Sequence, residues 1–305
     1  MLTIFSIPKP FRGHIRIIQR NAIKSWLRIK PECEIMLFGD DEGVRETAME
    51  FGLRYFEKIK KNEFGTPLVS DLFAQAASKA NNQYLCYING DIILTNTFME
   101  SVLKVIDYFK RFLAIGMHWR LDVKEEINFD EQWEIKVRKE VKKRGERGIT
   151  KAMDYFVFPR EIDFNMPPFV VGRPTWDNWL VYKARSIGLP VIDMSDSAYI
   201  VHQNHDYSHV QKGSGKSYDG PEAEINKILY KFKGERFGTK DATYRLDEKG
   251  LKRALRLKYL RRHFDTITIF KPWAAPLMWP FKAGITVTRP IRMRIRKARG
   301  IKSTK

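Results

Sequence analysis

Two hydrophobic rhythms alternate along this chain. Leu2-Thr3-Ile4-Phe5-Ser6-Ile7 is an apolar run of strand length. A helical stripe follows over 14–29, with Ile15, Ile18, Ala22, Trp26 and Ile29 on one face and Arg16, Arg20, Lys24 and Arg28 on the other. Residues 34–39 repeat the strand pattern, a helix ends near Phe51-Gly52, and 54–59 form a short third strand. Thr66-Pro67 reads as an N-cap with proline at the first helical position, opening a helix striped by Leu68, Leu72 and Ala76. Residues 84–94 are the next strand and its exit, followed by a helix over 99–109 and a strand over 112–117. This alternation predicts an α/β fold with a mostly parallel sheet covered by helices.

The second half is less regular. Charge is dense from Lys136 to Arg147, which suits a solvated helix or an insert, and 153–159 resume as a strand. A proline-pinned loop over 167–174 leads to Thr175, expected to cap a helix running to Ile187. A late strand spans 190–194. Residues 198–209 read as a strand end or loop holding three of the six histidines, and a Gly-Ser-Gly loop follows at 213–215. A helix is expected from Pro221 to about Lys233, and a basic helix from Leu251 to Phe264. There is no internal repeat.

Composition changes this picture at two points. An apolar content of 43% over 305 residues supports a substantial core. The net charge of +19 is concentrated: residues 245–305 hold 18 Lys and Arg against 3 Asp and Glu, whereas the first 244 residues hold 37 against 33. A domain over 1–235 and a basic extension over 236–305, with tryptophans and prolines, follow from this. Such an extension fits an anionic membrane surface, and no nucleic-acid motif argues for the competing partner. Cys33 and Cys86 read as reduced, buried thiols. The first strand starts almost at the initiator and no apolar run is long enough to span a bilayer, so the expected location is cytoplasmic, peripheral at the membrane face.

The chemistry centres on Asn89-Gly90-Asp91, which breaks the apolar stretch 84–94. A carboxylate at the carboxyl end of a buried strand lies where open α/β sheets bind ligands, and a hard oxygen ligand suits Mg²⁺ or Mn²⁺ bridging phosphates. The plain alternative is an Asn-Gly hairpin turn with a solvated Asp. Asp177 sits in the first turn of its helix, where the macrodipole favours an ionised carboxylate able to act as a base. Trp176 and Trp179 beside it are either an apolar sugar platform or core residues. His202, after an apolar run, is a candidate metal ligand; His205 and His209 read more simply as loop histidines. Lys9 would meet either a phosphate or solvent, and Asp71 either a nucleobase or ribose, or solvent.

Taken in order, the strand-one loop with Lys9, Asn89-Gly90-Asp91, Trp176-Asp177-Asn178-Trp179 and the His202–His209 cluster resemble the GT-A fold nucleotide-sugar glycosyltransferases, close to glycosyltransferase family 2. The resemblance covers about residues 1–235. It implies a nucleotide-sugar donor and a glycan or lipid-linked acceptor. It also implies Mn²⁺ or Mg²⁺ held by Asp91 and His202, with Asp177 as the base of an inverting transfer. Asn89 stands where the family's Asp-x-Asp motif has its first Asp. Rival readings are a nucleotidyltransferase, or a non-catalytic glycan- or lipid-binding protein on the same fold.

Overall fold

The structure, a computed structural model, describes residues 2–205, 219–232 and 234–277. Strand β1 (Leu2–Ser6) is followed by α1 (Gly13–Trp26), β2 (Glu34–Phe38), α2 (Val44–Glu50), β3 (Arg54–Phe56), α3 (Val69–Lys79) and β4 (Tyr84–Ile88). These strands pair in parallel in the order β4-β1-β2-β3. After the break at Asn89-Gly90 come β5 (Ile92–Leu94), α4 (Asn96–Tyr108), β6 (Leu113–Ile115), β7 (Trp119–Leu121), α5 (Trp133–Arg144) and β8 (Glu146–Arg147). Then follow β9 (Tyr155–Pro159), α6 (Trp176–Ser186), β10 (Val191–Asp193), β11 (Ile200–Gln203), α7 (Pro221–Tyr230), β12 (Tyr244–Asp247), β13 (Gly250–Arg253) and α8 (Leu257–Phe270).

A nine-stranded sheet runs β13-β12-β10-β6-β9-β4-β1-β2-β3, with β9 antiparallel to both its neighbours. A second sheet runs β5-β11-β7-β8. Both faces of the large sheet are covered, which is why β1 and β4 are apolar throughout rather than alternating. On one face Ile4 and Cys86 join a core with Trp26 and Ile88. On the other, Phe5, Phe73, Tyr87 and Trp176 form an aromatic cluster, with Tyr87 and Trp176 rings 5.0 Å apart. Burying each such ring is worth roughly 1.5–3 kcal/mol.

Four boundaries differ from the sequence reading. Helix α3 starts at Val69, because Pro67 and Leu68 are spent on extended bridges to Lys61 and Val170. Thr175 precedes α6 but does not cap it with its side chain; its φ is 83° and its hydroxyl donates to the Asn226 carbonyl. The expected helix from Leu251 begins at Leu257, since 250–253 pair as an edge strand after a turn at Gly250, φ 100°. The sheet therefore continues past residue 235, and the chain divides into units after Leu255. Within the second unit, α8 carries Leu257 and Leu260 exposed, with Trp273 and Leu277 exposed beyond it. Among the described residues no helix is long and apolar enough to cross a membrane. His209 and the Gly213–Gly215 loop lie outside the described residues.

Candidate active site

The break after β4 sends the chain from the large sheet into the small one, and Asp91 is delivered at that transfer. Gly90 leaves room for the Gln19 side chain beside it: a Cβ would stand 3.0 Å from Gln19 Oε1 and press on that side chain. Strand β5 then pairs with β11 so that His202 lies opposite Ile92, next to Asp91, and the ladder ends with Gln203 N–H donating to the Asp91 carbonyl at 3.2 Å. His118 immediately precedes β7, which pairs with β11 on its other side. The antiparallel register of β9 sets Tyr155 opposite Ile88, so Asp154 falls beside Asn89. One end of the small sheet and the carboxyl ends of β1 and β4 thus gather residues far apart in sequence.

Asp91 is 7% exposed. Its Oδ2 lies 3.0 Å from His205 Nε2, 3.7 Å from Lys9 Nζ and 3.8 Å from His202 Nε2. Burial alone would raise its pKa, but His202, His205 and Lys9 outweigh that and hold the carboxyl well below the usual range. Burial lowers His202 more than Asp91 and Asp154 raise it, leaving a neutral imidazole at neutral pH. The Lys9 ammonium is likewise lowered by burial and partly restored by Asp91.

Behind this cluster lies a second polar layer that was not visible in the sequence. Asp154 accepts from Asn89 Nδ2 at 2.9 Å through Oδ1, and its other oxygen is ion-paired with His118 Nδ1. Burial opposes ionisation of both partners; each overcomes it through the other, with Asp154 lowered and His118 raised. The His118 ring lies 5.2 Å from the His202 ring. Asn89 is fully engaged: Tyr87 Oη donates to its Oδ1 at 2.9 Å while its amide serves Asp154. Its side chain ties the turn down rather than facing Asp91.

Asp177 lies in the first turn of α6 next to Trp176, whose ring packs 5.0 Å from that of Tyr87, the residue whose hydroxyl donates to Asn89. The pKa of Asp177 is pushed up to about 7 by burial and by Asp154, against backbone N–H donors at the helix start. The macrodipole therefore does not keep it fully ionised, as the sequence suggested; desolvation wins and poises it near neutrality. Trp176 and Trp179 are core residues, packed on Tyr87 and Phe169, which removes the sugar-platform alternative. Asp71 is engaged locally, accepting from Lys60 N at 2.8 Å and Gln75 Nε2 at 2.7 Å. No hydrogen bond or ion pair joins it to the Asp91 cluster among the described residues.

Asp91, His202 and His205 offer ligand atoms within 4.8 Å of one another. Asp91 Oδ1 and His202 Nδ1 are buried without hydrogen-bond partners. A buried carboxylate oxygen lacking a donor fits a cation, and two imidazoles beside one carboxylate fit Mn²⁺ better than the all-oxygen preference of Mg²⁺. His205 was missed as a ligand because its neighbours Asn204 and Asp206 favoured a loop over the helical face its spacing to His209 would suit; the closer signal was His202-x-x-His205. His118 and Asp154 carried no signal beyond each standing next to a strand.

No family model and no curated protein matches the sequence. Comparison with solved structures gives the fold. The crystal structure of residues 1–349 of Staphylococcus aureus TarS in complex with UDP-GlcNAc aligns with a TM-score of 0.51 at 11% identity, covering 92% of this chain and 78% of that one. The same TarS fragment in a second crystal structure gives 0.45 at 12% identity, over 88% and 73%. A CMP-2-keto-3-deoxy-manno-octonic acid synthetase complexed with CTP gives 0.38 at 11%, over 65% and 91%. The chain has a mixed α/β, GT-A-like fold.

Proposed function

We propose that the chain is a glycosyltransferase that moves a sugar from a nucleotide-diphosphate donor to a hydroxyl acceptor. The observation that carries this reading is the convergence of Lys9, Asp91, His202 and His205 at the carboxyl ends of β1 and β4, with Asp177 in the first turn of α6. Ligands of open α/β sheets bind at this edge. Lys9 offers positive charge to the donor diphosphate. Asp91, His202 and His205 would hold a divalent ion, Mn²⁺ favoured; what such an ion supplies is positive charge against the leaving diphosphate.

Asp177 is the base. As the acceptor oxygen bonds to the anomeric carbon, its proton passes to the Asp177 carboxylate and the bond from that carbon to the diphosphate breaks. Attack from the face opposite the leaving group inverts the configuration. A carboxyl raised to about 7 suits this role, because it ionises near neutral pH while its conjugate base is strong enough to accept the proton. The acceptor is proposed to be a lipid-linked or cell-surface glycan met at the cytoplasmic membrane face. The support for that placement is the excess of Lys and Arg in 245–305 together with exposed Leu257, Leu260, Trp273 and Leu277.

The TarS complex holds UDP-GlcNAc, so a UDP-sugar is the first donor to test. UDP-, GDP- and CMP-sugars are screened with Mn²⁺ by thermal unfolding. One nucleotide class at about a hundredfold over its Kd should raise Tm by roughly 5–10 °C, from a ligand contribution of about 2.7 kcal/mol. No stabilisation by any class, with no nucleotide released on incubation, would sink the transferase reading.

A further inference from the structure

Lys9 reaches the site by construction. Pro8 and Pro10 flank it, and both of its backbone groups are clamped by one side chain: Lys9 N–H donates to Gln19 Oε1 at 2.7 Å and Gln19 Nε2 donates to Lys9 O at 2.8 Å. Gln19 lies on α1 and is 2% exposed. Gly90 closes over its oxygen. From this fixed backbone the ammonium reaches His205 Nε2 at 3.1 Å and Asp91 Oδ2 at 3.7 Å. Both residues belong to the Asp91, His202 and His205 group whose ligand atoms converge.

We propose that Lys9 and a divalent ion are competing occupants of the Asp91–His205 edge, and that the donor diphosphate decides between them. The inference rests on the transferase reading above. Asp91 carries one negative charge, which the ammonium alone balances. A divalent ion added beside both leaves a local excess of two positive charges in a buried site. A doubly negative diphosphate removes that excess and gives the ammonium a second anionic partner, so Lys9 leaves Asp91 and the ion takes its place. Charges of like sign a few ångströms apart at low dielectric repel strongly. Metal loading is therefore weak alone and tight with donor, which keeps the ion from being captured before there is substrate to act on.

The test titrates Mn²⁺ alone against the full chain and follows free ion by electron paramagnetic resonance. Lys9→Met, which keeps length and removes charge, should bind Mn²⁺ at least about tenfold more tightly than wild type. Lys9→Ala should do the same, so a packing effect of one replacement cannot mimic the result, and thermal unfolding verifies the fold of each. A residue that merely supported the site would weaken metal binding when replaced. Unchanged or weaker Mn²⁺ binding in both variants overturns the proposal. Asp91→Asn in the wild-type and Lys9→Met backgrounds judges the site itself: loss of Mn²⁺ binding in both supports the metal-site reading, and Mn²⁺ binding that ignores Asp91 overturns it.

Discussion

Replacing Asp154 tests whether the buried layer behind Asp91 is a support. Its side chain accepts from the Asn89 amide and pairs with His118, and both acid and imidazole are almost wholly enclosed. Asp154→Ala breaks the buried ion pair, about 3–5 kcal/mol, and leaves an orphaned amide, about 1–3 kcal/mol, for roughly 4–8 kcal/mol in all. At this size that lowers Tm by about 10–25 °C. A double-mutant cycle with Asp154→Asn and His118→Gln isolates the ion pair and should give a coupling of at least about 2 kcal/mol by denaturant unfolding. The sign with pH follows from both shifts. His118 is raised in the fold, so its share is complete below the unfolded value of about 6.5 and is lost as pH rises through the folded pKa. Asp154 is lowered, so its share is complete above about 3.9 and is lost as pH falls through its folded pKa. Coupling should peak between those limits, fading at lower pH as Asp154 is protonated and at higher pH as His118 loses its proton. A coupling under about 0.5 kcal/mol at pH 6 would refute the support argument.

Further outcomes follow from the same geometry. Asp177→Asn should abolish the rise of kcat/KM through about pH 7 and, because the raised carboxyl destabilises the fold increasingly above the unfolded pKa, should increase Tm at pH 8; a retained limb assigns the base elsewhere. Gly148→Ala places a methyl 2.6 Å from His118 Nε2 and should cost about 1–3 kcal/mol in unfolding experiments, with donor binding weakened through the displaced imidazole. Arg292→Glu, Arg294→Glu and Arg296→Glu together should reduce partition onto anionic vesicles by several hundredfold or more at low salt, since each lost cation is worth about 1 kcal/mol and each gained anion adds repulsion; sedimentation with unchanged vesicle binding would remove the membrane role.

The strands that build the site were legible because they are buried on both faces. Unbroken apolar runs such as Tyr84–Ile88 and Tyr155–Pro159 announce themselves. Asp91 and His202 were legible because each stands beside such a run. Asp154 and His118 were not, because their value lies in register: only the antiparallel pairing of β9 with β4 sets Asp154 beside Asn89, and only the small sheet brings His118 to His202. The missing first carboxylate of an Asp-x-Asp motif looked like a weakness in the sequence. In the fold the Asn89 amide has a structural task that a carboxylate could not perform, donating to buried Asp154 one strand away. Tryptophans at 176 and 179 fitted either a platform or the core in sequence, because only the fold shows that helix α6 turns both rings inward.

The central claim, that Asp91 governs a nucleotide-diphosphate site, is tested most directly by release of nucleoside diphosphate from the donor that stabilises wild type, with Mn²⁺ present. Asp91→Ala should release it at least about a hundredfold more slowly while circular dichroism and the unfolding transition persist. Release at the wild-type rate by a folded Asp91→Ala protein would contradict the account.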